Sequence, residues 1–155
     1  MQTAEHLRQL YNYNEWANRE FLTALTDLPE PSADAVRLFA HLLLAEKTWL
    51  QRMRENSDTT GFDFWAGRTV ADCEMLFDAN IQEYERLFLT LTEETLDLTF
   101  SYRNSKGAAF VNTYREALTH VFMHSSYHRG QVAQAIRRRD QTPPYTDYIH
   151  YLRIK

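Results

Sequence analysis

The stretch that decides the fold is "TYREALTHVFMHSSYHRGQVAQAIRRRDQTPPY", residues 113–145. Tyr114, Ala117, Leu118, Val121, Val132, Ala135 and Ile136 recur at spacings that place them along one face of an α-helix. Asn112, a residue type that favours helix starts, stands just before it, and Pro143 and Pro144 forbid continuation. The pattern predicts a helix over 113–139.

The rest of the chain repeats this pattern between breaks at 27–32, 59–68, 104–108 and 141–145, where glycines, prolines and small polar residues gather. Leu7, Leu10, Tyr11, Asn14, Ala17, Phe21, Leu25 and Leu28 predict a helix over 3–27. Ala35, Leu38, Leu42, Ala45, Trp49 and Met53 predict one over 33–55. A third, over 70–92, begins at Thr69 with Asp72 three residues on, a weaker form of the capping box, and carries Leu76, Phe77, Ile81, Tyr84, Leu87, Phe88 and Leu91. Between the third and fourth helices, Leu96 to Tyr102 alternate apolar and polar residues and then meet Asn-Ser-Lys-Gly, the pattern of a small hairpin. The expected fold is all-α: a four-helix bundle in a single domain over 1–155, with crossovers in the long second and third connections.

The fourth helix carries His120, His124 and His128. Residues four apart share a helix face, so His124 and His128 can converge on one ion. The outer pair cannot easily do so, since eight residues span ~12 Å of helix axis. Relative to the apolar stripe, His128 lies roughly 40° from its centre, His124 roughly 80° and His120 roughly 120°, which leaves His124 and His128 as the pair nearer the core. A catalytic metal usually takes three protein ligands and keeps one position open. The candidates for the third are His6, His41, His150 and carboxylates. His41 stands out because it interrupts "LFAHLLLAEKTW", residues 38–49, and a buried histidine needs a partner or a metal. On the residues alone two readings stay open: a metal site, or a core histidine with an unrelated polar helix edge.

Composition bounds the setting. The net charge of −4 gives no global attraction for nucleic acid, and "RRR" at 137–139 reads as a solvated helix end that complements the helix dipole. Apolar runs fall short of the ~20 residues of a membrane helix. The single cysteine, Cys73, has no internal partner, and the first residues lack a secretory pattern, so a cytoplasmic setting is expected. Cys73 itself, inside the third helix, reads as a small buried apolar residue. Trp16, Trp49 and Trp65 read as core formers.

The chain resembles the DinB-like (YfiT-like) superfamily of metal-binding four-helix-bundle proteins, the DNA-damage-inducible or bacillithiol-transferase-like family. The resemblance rests on "YNYNEWAN" (11–18), "HLLLAEKTWL" (41–50), "SYRNSKG" (101–107), "HVFMHSSYHRGQ" (120–131) and "PPYTDYIHYL" (143–152), in the expected order over nearly the whole chain. It implies a divalent metal, zinc or nickel, held by His41, His124 and His128, with His120 outside the ligand set. It further implies transfer of a low-molecular-weight thiol, as cosubstrate, to a small-molecule electrophile through a metal-bound thiolate. The alternative is a non-catalytic metal-binding stress-response protein. A homodimer is also implied, with neither nucleic acid nor membrane as partner. Supporting roles fall to Tyr127, as a hydrogen-bond donor, and to Arg129, which either holds a thiol's carboxylate or pairs with an acidic side chain. Gly130, costly within a helix, suggests close approach of another group, and Gln131 is placed to orient an imidazole.

Overall fold

Polar residues at the helix starts decide where each begins. Thr69 accepts a hydrogen bond from the Asp72 backbone N–H while the Asp72 carboxylate accepts from that of Thr69, a reciprocal cap that supplies two donors otherwise left without partners. Thr113 and Glu116 repeat the arrangement, and Ser32 accepts from the Ala35 N–H. The computed structural model describes residues 3–155. Its four long helices are α1 (Thr3–Asp27), α2 (Ala33–Glu55), α3 (Val70–Thr90) and α5 (Tyr114–Arg137). A single turn, α4 (Glu93–Leu96), and a hairpin of β1 (Thr99–Arg103) and β2 (Ala109–Thr113) separate α3 from α5, and α6 (Tyr148–Ile154) follows the proline break.

The helical bundle and the small hairpin agree with the sequence pattern, with local differences. The cap of α5 is Thr113, not Asn112; the Asn112 side chain instead donates to Glu116 and accepts from the Tyr102 hydroxyl. Periodicity did not anticipate α4 and α6, because four and seven residues are too few to display it. In the hairpin, Phe100 and Tyr102 turn inward while their strand neighbours face out. Its turn closes on Gly107, whose φ of +80° favours glycine.

α1 and α2 each pack against both α3 and α5, and so occupy opposite corners of the bundle. Asn80 donates to the Leu43 carbonyl and Tyr84 to that of Glu46, so α3 advances in the same direction as α2. Parallel neighbours need a return path, and residues 56–69 provide it. This second connection runs the length of the bundle, starting beside the hairpin, where Thr59 N–H donates to the Arg103 carbonyl, and ending at the Thr69 cap. The third connection, expected to cross over as well, instead stays at one end of the bundle, because α3 ends beside the start of α5 and the intervening length is taken up by α4 and the hairpin.

The core is divided in two. One apolar cluster gathers Leu7, Tyr11, Leu50, Leu87, Leu118 and Val121; the other gathers Phe21, Leu25, Phe39, Phe77, Val132 and Ile136. Between them lies a polar layer centred on Glu46, which is 4 % exposed. Its Oε1 accepts from Asn14 Nδ2 at 2.7 Å, Asn18 Nδ2 at 2.9 Å and Ser125 Oγ at 2.7 Å. The carbonyl oxygens of the same two amides accept from Arg129 Nη1 at 2.6 and 2.8 Å. The asparagines thus relay between a buried anion and a buried cation. No helix is long and apolar enough to cross a membrane among the described residues.

Two stability outcomes follow. Glu46→Ala strands three donors and leaves Arg129 without a counter-charge, so a loss of about 3 kcal/mol is expected by denaturant titration; a change under 1 kcal/mol would sink the claim that this layer organises the core. Gly130 has an ordinary φ, and a Cβ added there meets nothing within 4 Å. The close approach expected from the sequence is therefore absent, and Gly130→Ala should stabilise by ~1 kcal/mol, read as a higher melting temperature.

Candidate metal centre

The polar layer fixes the rotation of α5. Ser125 and Arg129 face the core, which carries His124 and His128 to the seam with α2, where His41 meets them. Ring centroids are 5.3 Å apart for His41 and His124, 4.5 Å for His41 and His128, and 4.4 Å for His124 and His128. One nitrogen from each lies within 4.8 Å of the others, and among the described residues this is the only such cluster of histidine, cysteine or carboxylate side chains.

Neighbours set the ring tautomers. His41 Nδ1 donates to the Phe64 carbonyl at 3.2 Å, and His128 Nδ1 donates to Gln131 Oε1 at 2.7 Å, leaving both Nε2 atoms as acceptors. Gln131 therefore orients an imidazole, as its spacing suggested. His124 Nδ1 is buried and has no hydrogen-bond partner. A buried nitrogen without a partner, in a ring packed against two other imidazoles, fits a bound cation.

Burial holds the rings neutral. Desolvation, above all, lowers His41 to about 4, with the charges of His128 and Arg37 adding to it and the Phe64 carbonyl opposing. His124 falls to about 3 through desolvation and then the neighbouring His128, His41 and His120. His128 is also lowered by burial, with Gln131 opposing. Unprotonated imidazole is the ligating form, so the three rings could hold a metal ion at neutral pH.

Trp65 lies outside the helical core expected for it. It sits in the 56–69 connection, 42 % exposed, stacked on His41 with centroids 3.6 Å apart and planes 3° from parallel. No periodic signal marks this position, because the residue belongs to a loop whose path the packing of α2 and α3 dictates.

The other candidates separate clearly. His6 is exposed near the start of α1, and His150 packs between Trp16 and Tyr145, away from the triad. His120 stands one turn before His124, against Trp49, and burial followed by the Arg52 charge lowers its pKa. Tyr127 is 66 % exposed, with its ring 5.2 Å from that of His128. Arg129 turns into the core, 3 % exposed, and reaches an acidic side chain, Glu46, through Asn14 and Asn18. Cys73 is fully buried among apolar side chains, which pushes its thiol up to about 12.

A model of the DinB family matches residues 1–155, the entire chain. The chain belongs to the DinB family. It is similar to Protein DinB of Bacillus subtilis (strain 168), with 27 % identity over 172 aligned positions that cover 93 % of this chain and 92 % of that protein. Family membership thus extends over the hairpin and α6 as well as the four long helices.

The depressed histidines make a pH prediction for metal-free protein. Between the ordinary value of 6.5 and about 4, the unfolded chain takes up protons that the folded rings refuse, so stability falls as pH falls through that window. His124→Phe removes one titrating ring and should show a smaller drop in melting temperature between pH 7 and pH 4. Equal drops in the two proteins would rule out burial of His124 as a cause.

Proposed function

We propose that this DinB-family protein is a metal-dependent enzyme that transfers a low-molecular-weight thiol to an electrophilic small molecule. The observation that carries the reading is the convergence of three neutral imidazoles, without cysteine or carboxylate, from two helices onto one point. His41, His124 and His128 would hold zinc or nickel, both of which imidazole suits. Such a donor set leaves the ion its full charge, which acidifies a coordinated thiol toward neutral pH.

The chain's own residues then have definite tasks. Phe64 and Gln131 keep two rings oriented, so little reorganisation accompanies binding. Trp65 covers His41 and offers an apolar wall for an electrophile. Tyr127, half turned to solvent beside His128, is available to donate a hydrogen bond to a leaving group. In the transfer a sulfur–carbon bond forms as a carbon–halogen bond breaks or an epoxide ring opens, and the thiol proton passes to solvent or to the opened oxygen.

The test uses untagged protein. Elemental analysis should find about one divalent ion per chain, and His41→Ala, His124→Ala and His128→Ala should each lose it. Unchanged metal content in all three would sink the site. A panel of thiols offered with a haloarene or an epoxide should show metal-dependent thiol consumption in the wild type only. Full metal occupancy with no consumption across the panel would leave metal binding and remove the transferase.

A further inference from the structure

The protein buries two arginines, and only one has an internal counter-charge. Arg129 is offset by Glu46 through two amides. Arg52, on α2 and 6 % exposed, has no carboxylate partner among the described residues. Its guanidinium rests in the corner formed by the rings of Trp49, 4.7 Å from Cζ, and Tyr102, 4.3 Å away, which meet edge to face. Nη2 donates to Thr59 Oγ1 at 3.2 Å, Nε is buried with no acceptor, and Nη1 makes no hydrogen bond yet is not among the buried atoms. A desolvated cation left in this state is costly unless an anion completes it.

The position of Arg52 says where that anion comes from. A row of rings joins it to the metal centre: His124 to His120 at 5.4 Å, His120 to Trp49 at 4.9 Å, and Trp49 to Tyr102 at 5.2 Å. Along α2, eleven residues (52 − 41) separate Arg52 from His41, ~16 Å of axis, and long helical side chains lean back toward the N-terminus. The guanidinium is then on the order of 10 Å from the triad. We propose that Arg52, held against Trp49 and Tyr102, binds the carboxylate of a small substrate whose reacting end lies at the histidine triad. The inference rests on the thiol-transfer reading for the nature of that substrate, a carboxylate-bearing low-molecular-weight thiol or its conjugate. Held against two aromatic faces with Nη1 outside the buried atoms, the planar guanidinium can donate to a carboxylate, the group that arginine recognises most selectively. With a net charge of −4, the protein's overall field opposes anions, so any preference for one is local.

The test separates the two readings by using a probe without a thiol. S-methylglutathione and its diethyl ester are titrated calorimetrically into zinc-loaded wild type, Arg52→Gln and Arg52→Lys. The free acid should bind wild type roughly tenfold more tightly than the ester. Arg52→Gln should bring that ratio close to one with zinc content unchanged. Arg52→Lys, which keeps the charge and serves if the glutamine variant does not fold, should retain a preference of only a few-fold. Equal affinities in the wild type, no detectable binding of either probe, or an undiminished ratio in the variants would overturn the proposal. Loss of thiol consumption, or of metal, would instead bear on the transfer reading, because this probe neither reacts nor requires a thiolate.

Discussion

One carboxylate governs this bundle. Glu46 lies where all four long helices could touch, and a charge placed there must be hydrogen-bonded or it destabilises the fold. The solution draws Asn14 and Asn18 from α1 and Ser125 and Arg129 from α5 onto a single point of α2, with Tyr84 of α3 donating to the Glu46 backbone carbonyl. Apolar contacts alone tolerate sliding and rotation of one helix on another, whereas this layer has one arrangement that satisfies its members. The position of the histidines is a by-product of that arrangement. His124 and His128 immediately precede Ser125 and Arg129 on α5, and His41 lies little more than one turn before Glu46 on α2, so satisfying Glu46 brings the three imidazoles together.

Much of this was legible in the residues. The four long helices are readable because each carries an apolar stripe over four turns or more, and the limits of α1 and α2 fall where periodicity puts them. His41 is readable because a titratable ring in an apolar run has few explanations, and His124 with His128 because four-residue spacing has only one geometric meaning on a helix. The polar layer is harder. Asn14 was counted in the α1 stripe, but Asn18, Glu46 and Ser125 look in sequence like ordinary polar residues on a helix surface. Their burial depends on partners more than twenty residues away, which no local pattern encodes. Arg129 shows the same limit, since adjacency to His128 suggests a role at the site while the helix turn between neighbouring residues points it into the core.

The hairpin and the second connection mark another boundary. Alternation placed strand residues near Phe100 and Tyr102, yet their inward face meets Trp49 and Arg52 of α2, a relation set by tertiary packing. Two arginines of similar burial therefore have different status. One closes a charge relay inside the molecule, while the other rests against two rings and is left open at one nitrogen.

Parallel packing of α2 and α3 has an architectural corollary. A chain that leaves α2 at one end must travel the full length of the bundle to begin α3, and the route it takes passes directly over His41. The three histidines stand on helices whose register the interior locks, whereas the roof above them, Phe64 and Trp65, belongs to a segment held by a few backbone hydrogen bonds and ring contacts. Floor and roof are thus distinct parts that meet at His41. A segment that still spans the bundle and still offers His41 a carbonyl can carry other side chains, so the same scaffold can be re-roofed for a differently shaped guest while the histidine floor stays as built.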